Sequence, residues 1–92
     1  MIRSFRCPET EALSRSERVR RFINIASVAR RKLRQLQIAG RLDDLRVPPG
    51  NRLETLKGGR LGQHSIRIND QWRICFRWTG AGAESLEIVD YH

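Results

Sequence analysis

The stretch SIRINDQWRICFRW, Ser65 to Trp78, limits what this chain can fold into more than any other. Ile66, Ile68, Trp72, Ile74, Phe76 and Trp78 share one parity, and Arg67, Arg73, Cys75 and Arg77 share the other. A period of two marks strands with one buried face. The interruption NDQ predicts a turn between two such strands. A two-residue loop at Asn69 and Asp70 pairs Arg67 with Trp72 and mixes the faces. A three-residue loop, Asn69 to Gln71, pairs Ile68 with Trp72, Arg67 with Arg73 and Ile66 with Ile74. Only the second keeps every apolar side chain on one side, so Arg67 is expected opposite Arg73.

Like charges facing each other across a ladder cost up to about 1 kcal/mol. Arg77, further along, is explained by splaying into solvent or by pairing with an acid such as Glu87. For Arg67 and Arg73 together the better explanation is an anion, because guanidinium forks match phosphate geometry. Trp72 and Trp78 share parity with Ile74 and Phe76 and are expected as core anchors. Cys75 lies on the arginine face and is expected as a small packed thiol.

The rest of the chain supplies a layer to cover the apolar face. MIRSF alternates and predicts a short first strand. PETEAL places Pro8 where a helix can begin, with acids in its first turn, and predicts a helix near residues 8–15. In FINIASVARRKLRQLQIAG, Phe22, Ile25, Ala26, Ala29, Leu33 and Leu36 form one apolar stripe at spacings of three and four, and Gly40 is a natural stop. Arg30, Arg31, Lys32 and Arg34 are expected on the remaining faces, solvated or touching nucleic acid. Pro48, Pro49 and Gly50 break the chain before RLETL, a short strand candidate, and KGGRLGQ follows. Strands are expected near 63–68, 72–78 and 85–91, with TGAGAE turning between the last two. The prediction is a single α+β domain, residues 1–92, with N-terminal helices packed on a small antiparallel sheet.

The formal net charge is +8 and points to a polyanionic partner, either nucleic acid or an acidic protein. Residues 1–50 hold twelve basic and five acidic side chains, and residues 51–92 hold six and five. No apolar run is long enough to span a bilayer, and MIRSFRCPET lacks the apolar centre of a signal peptide. Cys7 and Cys75 have no paired-motif spacing. A cytoplasmic protein with reduced thiols and no membrane partner is expected.

LEIVDYH brings Asp90, Tyr91 and His92 to the last strand, beside the arginine-bearing pair. A final histidine is often a solvent residue, yet an imidazole titrates near neutral pH and a carboxylate can orient it or accept a proton. RNA cleavage gives the whole set a use. Attack by a ribose 2′-hydroxyl needs a base, an acid for the departing 5′-oxygen and cations around the phosphorus. Lys57, Arg67 and Arg73 are the candidate cations, and Asp90 and His92 the candidate proton carriers. His64, His92 and the cysteines lack metal-ligand spacing, and KGGRLG is not a phosphate loop, so no metal or cofactor is expected.

PPGNRLETLKGGRLGQHSIRINDQWRICFRW and the terminal VDYH resemble the HigB family of toxins from bacterial toxin–antitoxin pairs, within the RelE-like superfamily. The resemblance extends over essentially the whole chain. It implies a curved antiparallel sheet and an mRNA endonuclease acting in the ribosomal A site. It also implies neutralisation by a HigA-like helix-turn-helix antitoxin, with operator DNA contacted only through that antitoxin. The family's functional positions fall on Lys57, Arg67, Arg73, Asp90, Tyr91 and His92. One departure is Glu54, which stands where some members carry a histidine. The rival readings are a ParE-like toxin of the same fold that poisons gyrase, and a non-enzymatic nucleic-acid-binding module.

Overall fold

The computed structural model describes residues 1–90. Tyr91 and His92 lie outside the described residues. Helix α1 (Pro8–Ser14) is followed by a 3-10 segment, Arg20–Ile25, that runs into helix α2 (Ala26–Ile38). Two further 3-10 turns, Leu42–Arg46 and Pro49–Asn51, lead to strand β1 (Glu54–Thr55). After a turn at Gly58–Arg60 come β2 (His64–Arg67), β3 (Trp72–Thr79) and β4 (Gly82–Asp90). The four strands form an antiparallel sheet in chain order. The architecture is α+β, as the alternation and the helical stripe predict.

The central register follows from parity alone. Ile66 stands opposite Ile74 and Arg67 opposite Arg73. Asn69 sets the turn between them: its Oδ1 accepts the backbone N–H groups of Gln71 and Trp72, both at 2.8 Å. Leu13, Phe22, Leu36, Leu45, Ile66, Ile74, Phe76, Leu86 and Ile88 are fully buried between the helices and the sheet. Trp72 and Trp78 are half-buried against this core. Trp72 meets the Phe22 ring edge-on at 5.5 Å, and the Arg21 guanidinium lies over both rings.

Three expectations change in detail. The predicted helix from Phe22 begins as 3-10 winding and becomes α-helical only at Ala26. Three residues per turn place Phe22 and Ile25 on one line, and both are buried. Lys32, expected on a solvated face, is 6% exposed and packs inward with Ala29 and Leu36. Strand β4 starts at Gly82 rather than near residue 85, leaving only Gly80 and Ala81 to turn.

The early start of β4 needs a bulge. Cys75 faces Glu87 and Arg77 faces Glu84, so Phe76 is opposed by two residues, Ser85 and Leu86. Ser85 takes a left-handed conformation, φ 56°. The extra residue switches the parity of β4, which lets both Leu86 and Ala83 face the core. It also adds local twist, bending the sheet.

The N-terminal segment covers the free edge of β4 through parallel bridges, Ile2 with Ala83 and Phe5 with Leu86. Gly82 makes this possible. At its φ of 129° a Cβ would lie 2.0 Å from the Met1 carbonyl oxygen. That same oxygen accepts the Ala83 N–H at 2.9 Å. Gly82→Ala is expected to destabilise the fold by about 2 kcal/mol or more in urea titration, through strain and the lost edge.

Candidate functional site

The antiparallel register gathers Glu54, Ser65, Arg67, Arg73, Cys75, Arg77, Glu87 and Val89 on the face of the sheet opposite the helices. The two facing arginines do not remain side by side. Arg73 turns into the sheet and is 7% exposed. Its Nε donates to Ser65 Oγ at 2.8 Å, and one terminal nitrogen donates to the Arg52 carbonyl at 2.6 Å and the Ser65 carbonyl at 3.4 Å. The Glu54 carboxylate lies 3.8 Å from that same nitrogen. Ser65 is small enough to leave the space, and Arg52 aims its carbonyl inward by adopting φ 45°. Arg67 turns the other way, pairs with the exposed carboxylate of Asp70, and keeps about a third of its side-chain surface in solvent.

This corrects the picture of two arginines converging on an open face. Like charges in register separate, one inward and one outward. Arg67 presents its charge to solvent, whereas Arg73 spends most of its donors on the protein.

Lys57 is exposed at the start of the Gly58–Arg60 turn, and its ammonium has no partner among the described residues. Arg60, on the same turn, reaches across the sheet to Glu87 at 3.0 Å and to Gln63 Oε1 at 3.2 Å. Glu87 pairs with Arg60, so of the two expectations for Arg77 the exposed one holds and the pairing with Glu87 does not. Arg77 instead lies over the glycine turn, its guanidinium close above Gly62. Asp90 ends β4 opposite Trp72 and accepts the Gln71 side-chain amide at 3.1 Å. By register it shares the apolar parity of Ile68 and Trp72, while Val89 stands opposite Arg73. Asp90 is exposed at the end of its strand, one register position from the Arg73–Val89 pair. The expected site residues Tyr91 and His92 fall outside the described residues.

The cysteine and histidine nearby are tuned by burial. Cys75 is fully buried, and burial, helped by Glu87, pushes its thiol pKa up against the opposing pull of Arg60 and Arg73. A neutral packed thiol results, as expected. His64 is held below the ordinary imidazole range by burial, and its Nδ1 lies 3.2 Å from Thr55 Oγ1.

One charged group here was missed by sequence reasoning. The Lys32 ammonium donates to Asn51 Oδ1. The Asn51 amide in turn donates to Gln35 Oε1 at 2.9 Å and to the Leu45 carbonyl at 3.1 Å. Burial lowers the Lys32 pKa, and the neighbouring charges of Arg31 and Arg67 lower it further. The signal was present: Lys32 lies three residues after Ala29 and four before Leu36, inside the apolar stripe. No group of three or more potential metal-ligating side chains occurs among the described residues.

Comparison with known proteins now places this arrangement. The family model for the RelE-like toxin of the type II toxin–antitoxin system HigB matches residues 5–92. The chain belongs to that family. It is 52% identical over 48 residues to Toxin HigB-1 of Vibrio cholerae, a match covering 52% of this chain and 50% of that protein. It is also 36% identical over 63 residues to an uncharacterized protein of Haemophilus influenzae, covering 68% and 62% of the two chains. The chain thus spans about half to three fifths of the length of these curated relatives. No helix of this HigB-like toxin is long and apolar enough to cross a membrane among the described residues.

The two arginines are expected to separate in a stability measurement. Arg73→Ala strands the Ser65 hydroxyl and the Arg52 carbonyl and is expected to cost about 2–4 kcal/mol in urea titration. Arg67→Ala removes a mostly exposed pair and is expected to cost less than about 1 kcal/mol.

Proposed function

We propose that this toxin is an mRNA endonuclease that cuts in the ribosomal A site and is neutralised by a HigA-like antitoxin. The observation that carries the reading is the partly exposed Arg67, one register row from the end of β4, where Asp90 precedes Tyr91 and His92 in the sequence; Lys57 adds an exposed cation on the turn after β1. In the proposed reaction the ribose 2′-oxygen attacks the adjacent phosphorus and the bond to the 5′-oxygen breaks. A 2′,3′-cyclic phosphate and a free 5′-hydroxyl result. Asp90 and His92 exchange the two protons, Tyr91 contacts the nucleotide, and Lys57 and Arg67 face the charge that grows on the phosphoryl oxygens. Arg73 has two roles here. Its inward donors brace the sheet, and its charge beneath the face adds to the positive potential.

The ribosome supplies what a domain this small lacks. Holding the mRNA in place lowers the entropic barrier, so a shallow face suffices and no deep substrate cleft is needed. The basic N-terminal half fits docking on ribosomal RNA, a contact that salt weakens. Operator DNA is reached through the antitoxin alone, and the site of action is the cytoplasm.

Primer extension on mRNA from a cell-free translation reaction tests this reading, comparing wild type with Asp90→Ala, His92→Ala and Arg67→Ala, with and without ribosomes. The expected result is cutting that requires ribosomes and falls by about 100-fold or more in His92→Ala, with ribosome binding kept. Folded wild type that leaves mRNA intact would favour the gyrase-poisoning reading. Graded, salt-dependent losses at every basic residue would favour a simple binding module.

A further inference from the structure

A second surface feature lies away from the sheet face. It is a groove of about 700 Å³ between the end of α1, the outer side of α2 and the N-terminal segment. None of Lys57, Arg67, Arg73 or Asp90 lines it. Its apolar wall comes from Ile2, Phe5, Leu33 and Ile38, and Ile38 is 75% exposed. Arg30, Arg31 and Arg34 also line it, and no acidic residue does. Arg30 is fixed by the Leu13 and Glu17 carbonyls at 3.3 and 3.2 Å. Arg31 and Arg34 have no ionic partner among the described residues. The N–H of Ile2 donates to Gln37 Oε1 at 2.9 Å and ties the N-terminal segment across to α2.

We infer that this groove is the docking seat for an acidic amphipathic helix of a partner protein. Three arginines beside aliphatic side chains ask for a ligand with carboxylates and apolar groups on neighbouring surfaces. Phosphodiester chains satisfy the arginines but leave the partly exposed Ile2 and the exposed Ile38 without a complement. The α2 residues lining the groove run from Arg30 to Ile38, about 12 Å of helix. That length matches roughly two turns of a docked helix, with anchors at i, i+4 and i+7. Such a partner could be bound while the arginine face stays open. Assigning the helix to the antitoxin rests on the function proposed above; the groove's preference for an acidic amphipathic helix does not.

The test uses the full chain and a fluorescein-labelled amphipathic helix built of leucine and glutamate, read by anisotropy near physiological salt. The comparison probes are the same composition shuffled to lose its apolar stripe, a leucine–lysine helix, and a single-stranded RNA oligonucleotide. The variants are Ile38→Asp and the double substitution Arg31→Glu with Arg34→Glu, all at exposed positions, with Arg67→Ala as the remote control. The leucine–glutamate helix is expected to bind with a micromolar Kd that weakens about tenfold or more in both groove variants and is unchanged in Arg67→Ala. Equal binding of the shuffled peptide, insensitivity to the groove variants, or RNA binding in place of the peptide overturns the inference. Ile38→Asp, which changes none of the basic residues, is expected to cut mRNA as wild type does in the translation reaction. Loss of cutting in wild type would overturn the nuclease reading and the antitoxin assignment, while the peptide result would still decide the groove.

Discussion

The guanidinium of Arg73 organises the sheet half of this molecule. It lies within the sheet and ties β3 to the Ser65 side chain and carbonyl on β2, and to the carbonyl of Arg52 in the loop ahead of β1. That loop is also held from the helical side, where the buried ammonium of Lys32 takes the Asn51 carboxamide. Two cations from opposite layers thus grip consecutive residues of one irregular segment. Buried charges are tolerated only when they are hydrogen-bonded; among the described residues Arg73 has three such bonds and Lys32 one, to Asn51. The loop they fix leads into β1 and Lys57, so the exposed cation's starting point depends on the buried ones.

Much of this was legible in the sequence because parity is a strict constraint. One residue of slip would have turned Ile66, Ile74 and Phe76 to solvent, so the pairing of Arg67 with Arg73 followed from the apolar set alone. What parity could not show was how the two arginines resolve their repulsion. That depends on Ser65 leaving room and on Arg52 adopting a left-handed turn, neither of which has a periodic signature. The bulge at Ser85 escaped for a similar reason, since Ala83 belongs to the core only after the parity switch. Lys32 was misplaced because residue type was weighed above helical position. MIRSF predicted a first strand, but the segment makes only two isolated parallel bridges to β4, a long-range contact that local pattern does not encode.

The charge distribution separates into three populations. Some cations are structural, as Arg73 and Lys32 are. Some balance acids on the surface, as Arg15 does with Glu11 and Arg21 with Glu9. Others face outward: Lys57 and, beside its partner Asp70, Arg67 near the sheet face, and Arg31 and Arg34 along α2. This sorting gives the proposed activities separate surfaces, one for RNA and one for a protein partner, on a domain about 30 Å across. It also means that loss of activity on changing Arg73 would report on folding as much as on chemistry.

The bracing role of Arg73 is measured directly by a double-mutant cycle. Urea unfolding of wild type, Ser65→Ala, Arg73→Ala and the double variant gives the coupling between the two side chains. A coupling of about 1–2 kcal/mol is predicted for a buried hydrogen bond to a charged donor. Coupling near zero, with Arg73→Ala as stable as wild type, would contradict the brace and return Arg73 to the open face as a free phosphate ligand.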